Sequence, residues 1–214
     1  AGADATLSER QAMRRSVMVF AGATLALALG LGVTALWLGE RGGWRGIDLA
    51  GLTEAQIGGP FALTDQDGRK RRDGEFRGRL MLVIFGFTNC PDVCPLGLQH
   101  ISDALDELGP AGEKVQPILI TVDPARDTPS VLKDYVGRFS PRIVGLTGSA
   151  EEIAAVARAY RVFFKAHGEH AGHSNYTVEH TSFIYLMGRD GRVLTHFTHE
   201  TPAARMAEQI RRYL

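Results

Sequence analysis

Leu80-Met81-Leu82-Val83-Ile84-Phe85-Gly86-Phe87-Thr88-Asn89-Cys90-Pro91-Asp92-Val93-Cys94-Pro95 decides the reading of this chain. The stretch from Leu80 to Phe87 is continuously apolar, the pattern of a central strand covered on both faces. The next residues, Thr88 to Pro95, are turn-like and hold both cysteines of the chain. Helical spacing then sets in at Leu98, Ile101, Leu105 and Leu108 and stops at Gly109-Pro110. Two thiols therefore sit where a buried strand gives way to a helix, a junction at which α/β proteins expose reactive groups. A helix N-terminus lowers the pKa of a thiol, and the thiolate is both nucleophile and metal ligand.

Working outward, Pro60-Phe61-Ala62-Leu63 reads as a short strand followed by a turn over Thr64 to Gly68. Val115 to Val122 is a second apolar strand, and Asp127-Thr128-Pro129 opens a helix by placing a capping side chain before a proline. Ile143 to Leu146 is a short strand, and Ser149 with Glu152 forms a capping box for a helix through Tyr160. Phe183 to Met187 and Val193 to Phe197 flank an Asp190-Gly191 turn, a hairpin signal. Thr201-Pro202 starts a last helix by the same cap-then-proline logic. This alternation, closing with a hairpin and a helix, predicts an α/β domain of thioredoxin-like fold. There is no internal repeat and no low-complexity tract.

The 214 residues suit one globular domain plus a small extra piece. Lys and Arg total 24, as do Asp and Glu, so the chain carries no general attraction for nucleic acid. The extra piece is N-terminal: Ser16 to Gly39 contains no charged residue and is rich in Ala, Leu, Val and Gly. Such a segment is long enough to cross a hydrocarbon core of about 30 Å. A cleaved signal peptide is the competing reading, but its apolar region runs only about 7–15 residues. Here the run is longer and ends near Trp37, a residue favoured at the membrane interface. Arg10, Arg14 and Arg15 precede the span, while Arg41 and Arg45 follow it beside Glu40 and Asp48. This small basic excess predicts a cytoplasmic tail over 1–15, a transmembrane helix over 16–39, a linker over 40–54 and an outward-facing domain over 55–214. In a periplasm-like compartment two nearby cysteines can be oxidised to a disulfide.

Three residues separate Cys90 from Cys94, one more than the usual redox spacing of thioredoxin-like proteins. The pair by itself admits a redox disulfide, a metal site or two inert core thiols. Two thiolates and an imidazole suit Cu(I), which accepts low coordination, whereas structural zinc asks for four ligands. Among the seven histidines, His180 is the best third ligand because it lies just before the strand Phe183 to Met187. His100 falls on the helix after Cys94 and reads as a partly exposed surface residue, and His196 and His199 carry no positional signal. His167, His170 and His173 are interspersed with glycines and read as a solvated loop, with accessory copper or zinc capture as the alternative.

Three separated motifs then occur in order: Cys90-Pro91-Asp92-Val93-Cys94-Pro95; Val122-Asp123-Pro124-Ala125-Arg126-Asp127-Thr128-Pro129; and His180 ahead of Tyr185-Leu186-Met187 and an Asp-Gly turn. Together they resemble the Sco/SenC family over about residues 55 to 214. The resemblance implies a thioredoxin-like fold that binds one copper ion, as Cu(I) or Cu(II), through Cys90, Cys94 and His180. It implies a single-pass protein of the bacterial inner membrane, in preference to the mitochondrial one, with its C-terminal domain in the periplasm. Its implied partners are a periplasmic copper donor, a thioredoxin-like reductase and subunit II of cytochrome c oxidase. Family members help assemble the dinuclear CuA centre of that subunit, as copper donors or as reductants of its cysteines; others are linked to redox signalling.

Glu179 departs from the Asp that commonly precedes the family's histidine, and it keeps the charge. Asp123 and Asp92 are candidates for carboxylates just outside the ligands, where they would orient them. Against that, Asp123 at a strand end and Asp127 beside a helix start also read as turn and cap formers. Two functions compete: a metallochaperone that exchanges ligands, and a thiol-disulfide oxidoreductase whose catalytic pair is Cys90 and Cys94. Only the first needs His180. A thiol peroxidase is disfavoured because Thr88-Asn89-Cys90 has the wrong spacing and no proline upstream.

Overall fold

Along the residues that the computed structural model describes, 57–167 and 176–214, nine strands and four α-helices succeed one another. They are β1 (Ala62–Asp65), β2 (Lys70–Arg72), β3 (Leu80–Gly86), α1 (Val93–Leu108), β4 (Val115–Thr121), α2 (Pro129–Val136), β5 (Val144–Thr147), α3 (Ala150–Ala159), β6 (Phe164–His167), β7 (Thr177–His180), β8 (Phe183–Met187), β9 (Val193–Thr198) and α4 (Ala203–Arg211). All of them fall in the unit running from Glu54 to Leu214. The tail, transmembrane helix and linker expected over 1–54 lie outside the described residues. Among the described residues no helix is long and apolar enough to cross a membrane.

Every residue of β3 is buried, and its alternating side chains divide the core in two. Met81, Val83 and Phe85 join Ile118 and Ile120 of β4 and Ile153, Val156 and Ala157 of α3. Leu80, Leu82 and Ile84 join Leu98, Ile101 and Leu105 of α1, Leu132 of α2 and Met206 and Ile210 of α4. A strand sandwiched in this way must be apolar at every position, which is why Leu80 to Phe87 shows no alternation in sequence.

The main sheet has the order β2-β1-β5-β4-β3-β8-β9. Strands β3, β4 and β5 are parallel, while β8 pairs antiparallel with β3, and β9 with β8. The unit β3-α1-β4 followed by β8-β9-α4 is the thioredoxin-like α/β arrangement that the sequence predicted. Strands β6 and β7 form a separate two-stranded antiparallel sheet, with Phe164 opposite His180 and His167 opposite Thr177.

Several local readings hold. Thr128 caps α2 through its Oγ1, which accepts from the Val131 N–H, and Pro129 is the first helical residue. Ser149 and Glu152 close a reciprocal capping box at α3, at 3.2 and 2.8 Å. Others shift. Strand β1 covers Ala62–Asp65 rather than residues 60–63, because Thr64 and Asp65 pair with Thr147 and Leu146 of β5. The turn comes after Asp65, whose carboxylate accepts from the backbone N–H of Asp67 and Arg69. Thr201 does not cap α4. Its Oγ1 accepts instead from the Thr198 N–H at 3.1 Å, so Pro202 takes the cap position without a side-chain bond.

Candidate metal centre

The site stands at the C-terminal end of β3. The chain leaves Gly86, turns at Phe87 through a bond from the Cys90 N–H to the Phe87 carbonyl (3.2 Å), and enters α1 at Val93. Cys94 is therefore in the first turn of α1, and its sulfur lies against Gly86. A Cβ at position 86 would come within 2.9 Å of that sulfur, so the strand has a glycine where the thiol sits. Cys94 is buried and Cys90 is half-buried.

The loop before the cysteines is pinned by a buried carboxylate. Thr88 donates to Asp127 twice, from its N–H (3.1 Å) and its Oγ1 (2.6 Å), and Thr121 donates a third bond. Asp127 is fully buried, and desolvation raises its pKa despite these donors. Asp127, which also read as a turn or cap former, is thus employed in holding Thr88, while Thr128 caps α2.

His180 is the last residue of β7. Its Nδ1 is 3.0 Å from the Thr181 carbonyl, and a carbonyl can only accept, so the proton resides on Nδ1. Its Nε2 faces Cys94 Sγ at 3.3 Å. The Phe87 ring meets the imidazole edge-on, with centroids 5.7 Å apart. The donor atoms of Cys90, Cys94 and His180 all lie within 4.8 Å of one another.

The two sulfurs are electrostatically unequal. The thiol of Cys94 donates to Cys90, and this bond, helped by His180 and the backbone N–H groups of Asp92 and Cys94, holds Cys90 well below the ordinary thiol range against the opposing effect of burial. Cys94 is driven up by giving its proton to the same bond, then by burial. The thiol whose pKa is lowered is thus Cys90, just before α1, and not Cys94 within it, with the Cys94 thiol as the leading cause and the N–H groups at the helix entry contributing less. Chemically the pair is a thiolate-favouring Cys90 and a proton-holding Cys94 beside an imidazole. Two soft sulfurs and one nitrogen match a soft ion of low coordination number and fall short of a closed zinc site.

Asp123 and Asp92 do not join the converging donor set. Both oxygens of Asp123, a buried residue, are committed elsewhere, one to Arg126 Nε and one to the Tyr176 hydroxyl. Asp92 is exposed and occupies the cap position of α1, where its backbone N–H supports the Cys90 sulfur. His100 is half-buried, with Nδ1 2.9 Å from the His199 carbonyl, and His196 packs on Phe183. His167 ends β6, while His170 and His173 lie outside the described residues. Sequence reasoning missed Gly86, Thr88 and Tyr176. Gly86 carried a faint signal as the one small residue in an otherwise bulky strand.

Fold and donor set together define a class, thioredoxin-like domains with a cysteine pair at the end of the central strand and a histidine brought to it from a separate two-stranded sheet. The chain belongs to the SCO1/SenC family, whose model matches residues 50–214. It is 40% identical over 153 residues to a SCO2-like protein of Rickettsia prowazekii, covering 72% of this chain and 75% of that one. It superposes on ScoI of Bradyrhizobium japonicum, solved with copper bound, with a TM-score of 0.69 and 44% identity, over 74% of this chain and 99% of that one. A structure of BsSco, described as having a disulfide switch and as a member of the Sco family of cytochrome c oxidase assembly proteins, matches at 27% identity and a TM-score of 0.58, over 74% of this chain and 93% of that one.

Proposed function

We propose that this protein is a membrane-anchored copper chaperone that binds one copper ion through Cys90, Cys94 and His180 and helps assemble the CuA centre of cytochrome c oxidase subunit II. The observation that carries the reading is the convergence of two sulfurs and one imidazole nitrogen within 4.8 Å. Copper-bound ScoI and the oxidase-assembly description of BsSco support it. Copper is cargo here. The Cys90 thiolate meets the ion, Cys94 surrenders its proton on loading, and Nε2 of His180 completes a three-donor set that an acceptor can invade. A Cys90 to Cys94 disulfide cannot take up copper, so loading requires prior reduction. Residues 16–39 anchor the domain in the bacterial inner membrane with the site in the periplasm, where a copper donor and a thioredoxin-like reductase would serve it. Asp123 and Asp92 act outside the ligand set, through Tyr176 and through the backbone at Cys90.

A second reading, reduction of the cysteines of subunit II, is favoured by the lowered pKa of Cys90 beside a thiol. In that reaction the Cys90 thiolate attacks a partner disulfide, and Cys94 resolves the mixed disulfide. Copper titration of wild type and the Cys90→Ala, Cys94→Ala and His180→Ala variants separates the two. The chaperone reading expects one copper per chain, weakened by each substitution. Wild-type affinity in His180→Ala would sink it and leave the reductase.

A further inference from the structure

We infer that Arg126 and Tyr176 form a latch that fixes the His180 hairpin over the cysteines and thereby sets how long a bound ion is retained. The inference rests on the three-donor copper site proposed above. Among the described residues, β6 and β7 share no ladder with the seven-stranded sheet, so backbone pairing to that sheet does not place His180. Side chains on one face of β7, and that of Tyr176, the residue that leads into it, do. With a period of two, residues 176, 178 and 180 point the same way. Val178 is buried in the core with Phe85 and Phe87, His180 meets Cys94, and Tyr176 reaches Asp123 through its hydroxyl.

Arg126 secures the third point from the opposite side. Its Nε donates to Asp123 and its Nη1 donates to the Tyr176 carbonyl at 2.9 Å. The guanidinium lies 3.7 Å from the Tyr176 ring centroid and 5.9 Å from that of Phe87, the ring that abuts His180. Asp123 is itself tied to the cysteine loop: its N–H donates to Thr121 Oγ1, and the Thr121 hydroxyl donates to Asp127, which holds Thr88. A continuous run of contacts thus joins the loop that presents the sulfurs to the strand that presents the imidazole. Arg126 and Tyr176 touch neither sulfur in that run. They are positioning residues, acting through His180.

The full chain is loaded with one equivalent of Cu(I), and transfer to a chromophoric Cu(I) chelator is timed for wild type, Tyr176→Phe, Arg126→Gln, His180→Ala and Tyr176→Phe combined with His180→Ala. Thermal melts confirm that each variant unfolds cooperatively, and Cu(II) electron paramagnetic resonance reads the nitrogen coupling. Tyr176→Phe keeps the ring on Arg126 and deletes only the hydroxyl. The latch variants are expected to release copper about ten- to a hundredfold faster, with weakened nitrogen coupling. In the His180→Ala background, Tyr176→Phe is expected to add nothing. Wild-type release from both latch variants, or an undiminished acceleration by Tyr176→Phe when His180 is absent, would overturn the latch alone. Equal release from His180→Ala and wild type would overturn the ligand set on which it rests.

Discussion

Cys90 and Cys94 stand at the end of a strand whose every residue is buried, and Gly86 lets a sulfur rest directly on it. His180 stands on a two-stranded hairpin that joins the body through Val178, the Phe87 ring and the Asp123 cluster. One arm of the site is continuous with the core; the other is attached to it by side chains and by the two-residue link from His180 into β8. The difference suits an ion that has to be both held and passed on. Local openings in proteins cost least where few buried contacts are broken, so the imidazole arm is expected to open more readily than the strand end that carries the sulfurs.

Core substitutions test this contrast most strongly. Phe85→Ala empties a fully buried ring position under both arms and is expected to cost about 3–5 kcal/mol in denaturant unfolding. Val178→Ala removes less, about 1–2 kcal/mol by its apolar carbons, and is expected to speed copper release more than it lowers global stability. If the two variants lost copper in proportion to stability alone, the arms would not differ in kind. Gly86→Ala comes next: the added Cβ overlaps the Cys94 sulfur, costing about 1–3 kcal/mol and displacing one donor. An unchanged copper spectrum in that variant would show that the sulfur is free to move.

The smallest effect concerns charge within the sulfur arm. Because the pKa of Cys90 is lowered, its thiolate persists as pH falls below the ordinary thiol value of about 8.5. Alkylation by iodoacetamide, read by mass spectrometry, should still occur at Cys90 at pH 6 and spare Cys94. Since the Cys94 thiol is the leading cause, Cys94→Ala should raise the Cys90 pKa more than His180→Ala does. The reverse order would assign the thiolate to the hairpin arm.

The sulfur arm was legible in sequence because its determinants are local. Eight apolar residues, two cysteines and a helical repeat succeed one another without interruption, and the Ser149 box was written in four residues. The hairpin arm was not. Four-residue strands such as β6 and β7 carry too few alternations to stand out, and the bond from Tyr176 to Asp123 spans 53 positions. His180 was found through its place ahead of a strand and the motif it resembles, not through periodicity. Thr201 shows the opposite failure, a correct local rule overruled by a nearer donor at Thr198.

Gly86 has a bearing on protein design. Transplanting Cys90 to Cys94 onto another thioredoxin-like scaffold would carry over the loop and the thiols but not the space they occupy. A recipient strand ending in valine or alanine would push the second sulfur outward, even with all five grafted residues intact. The smallest portable unit of this site therefore includes a residue with no side chain at all.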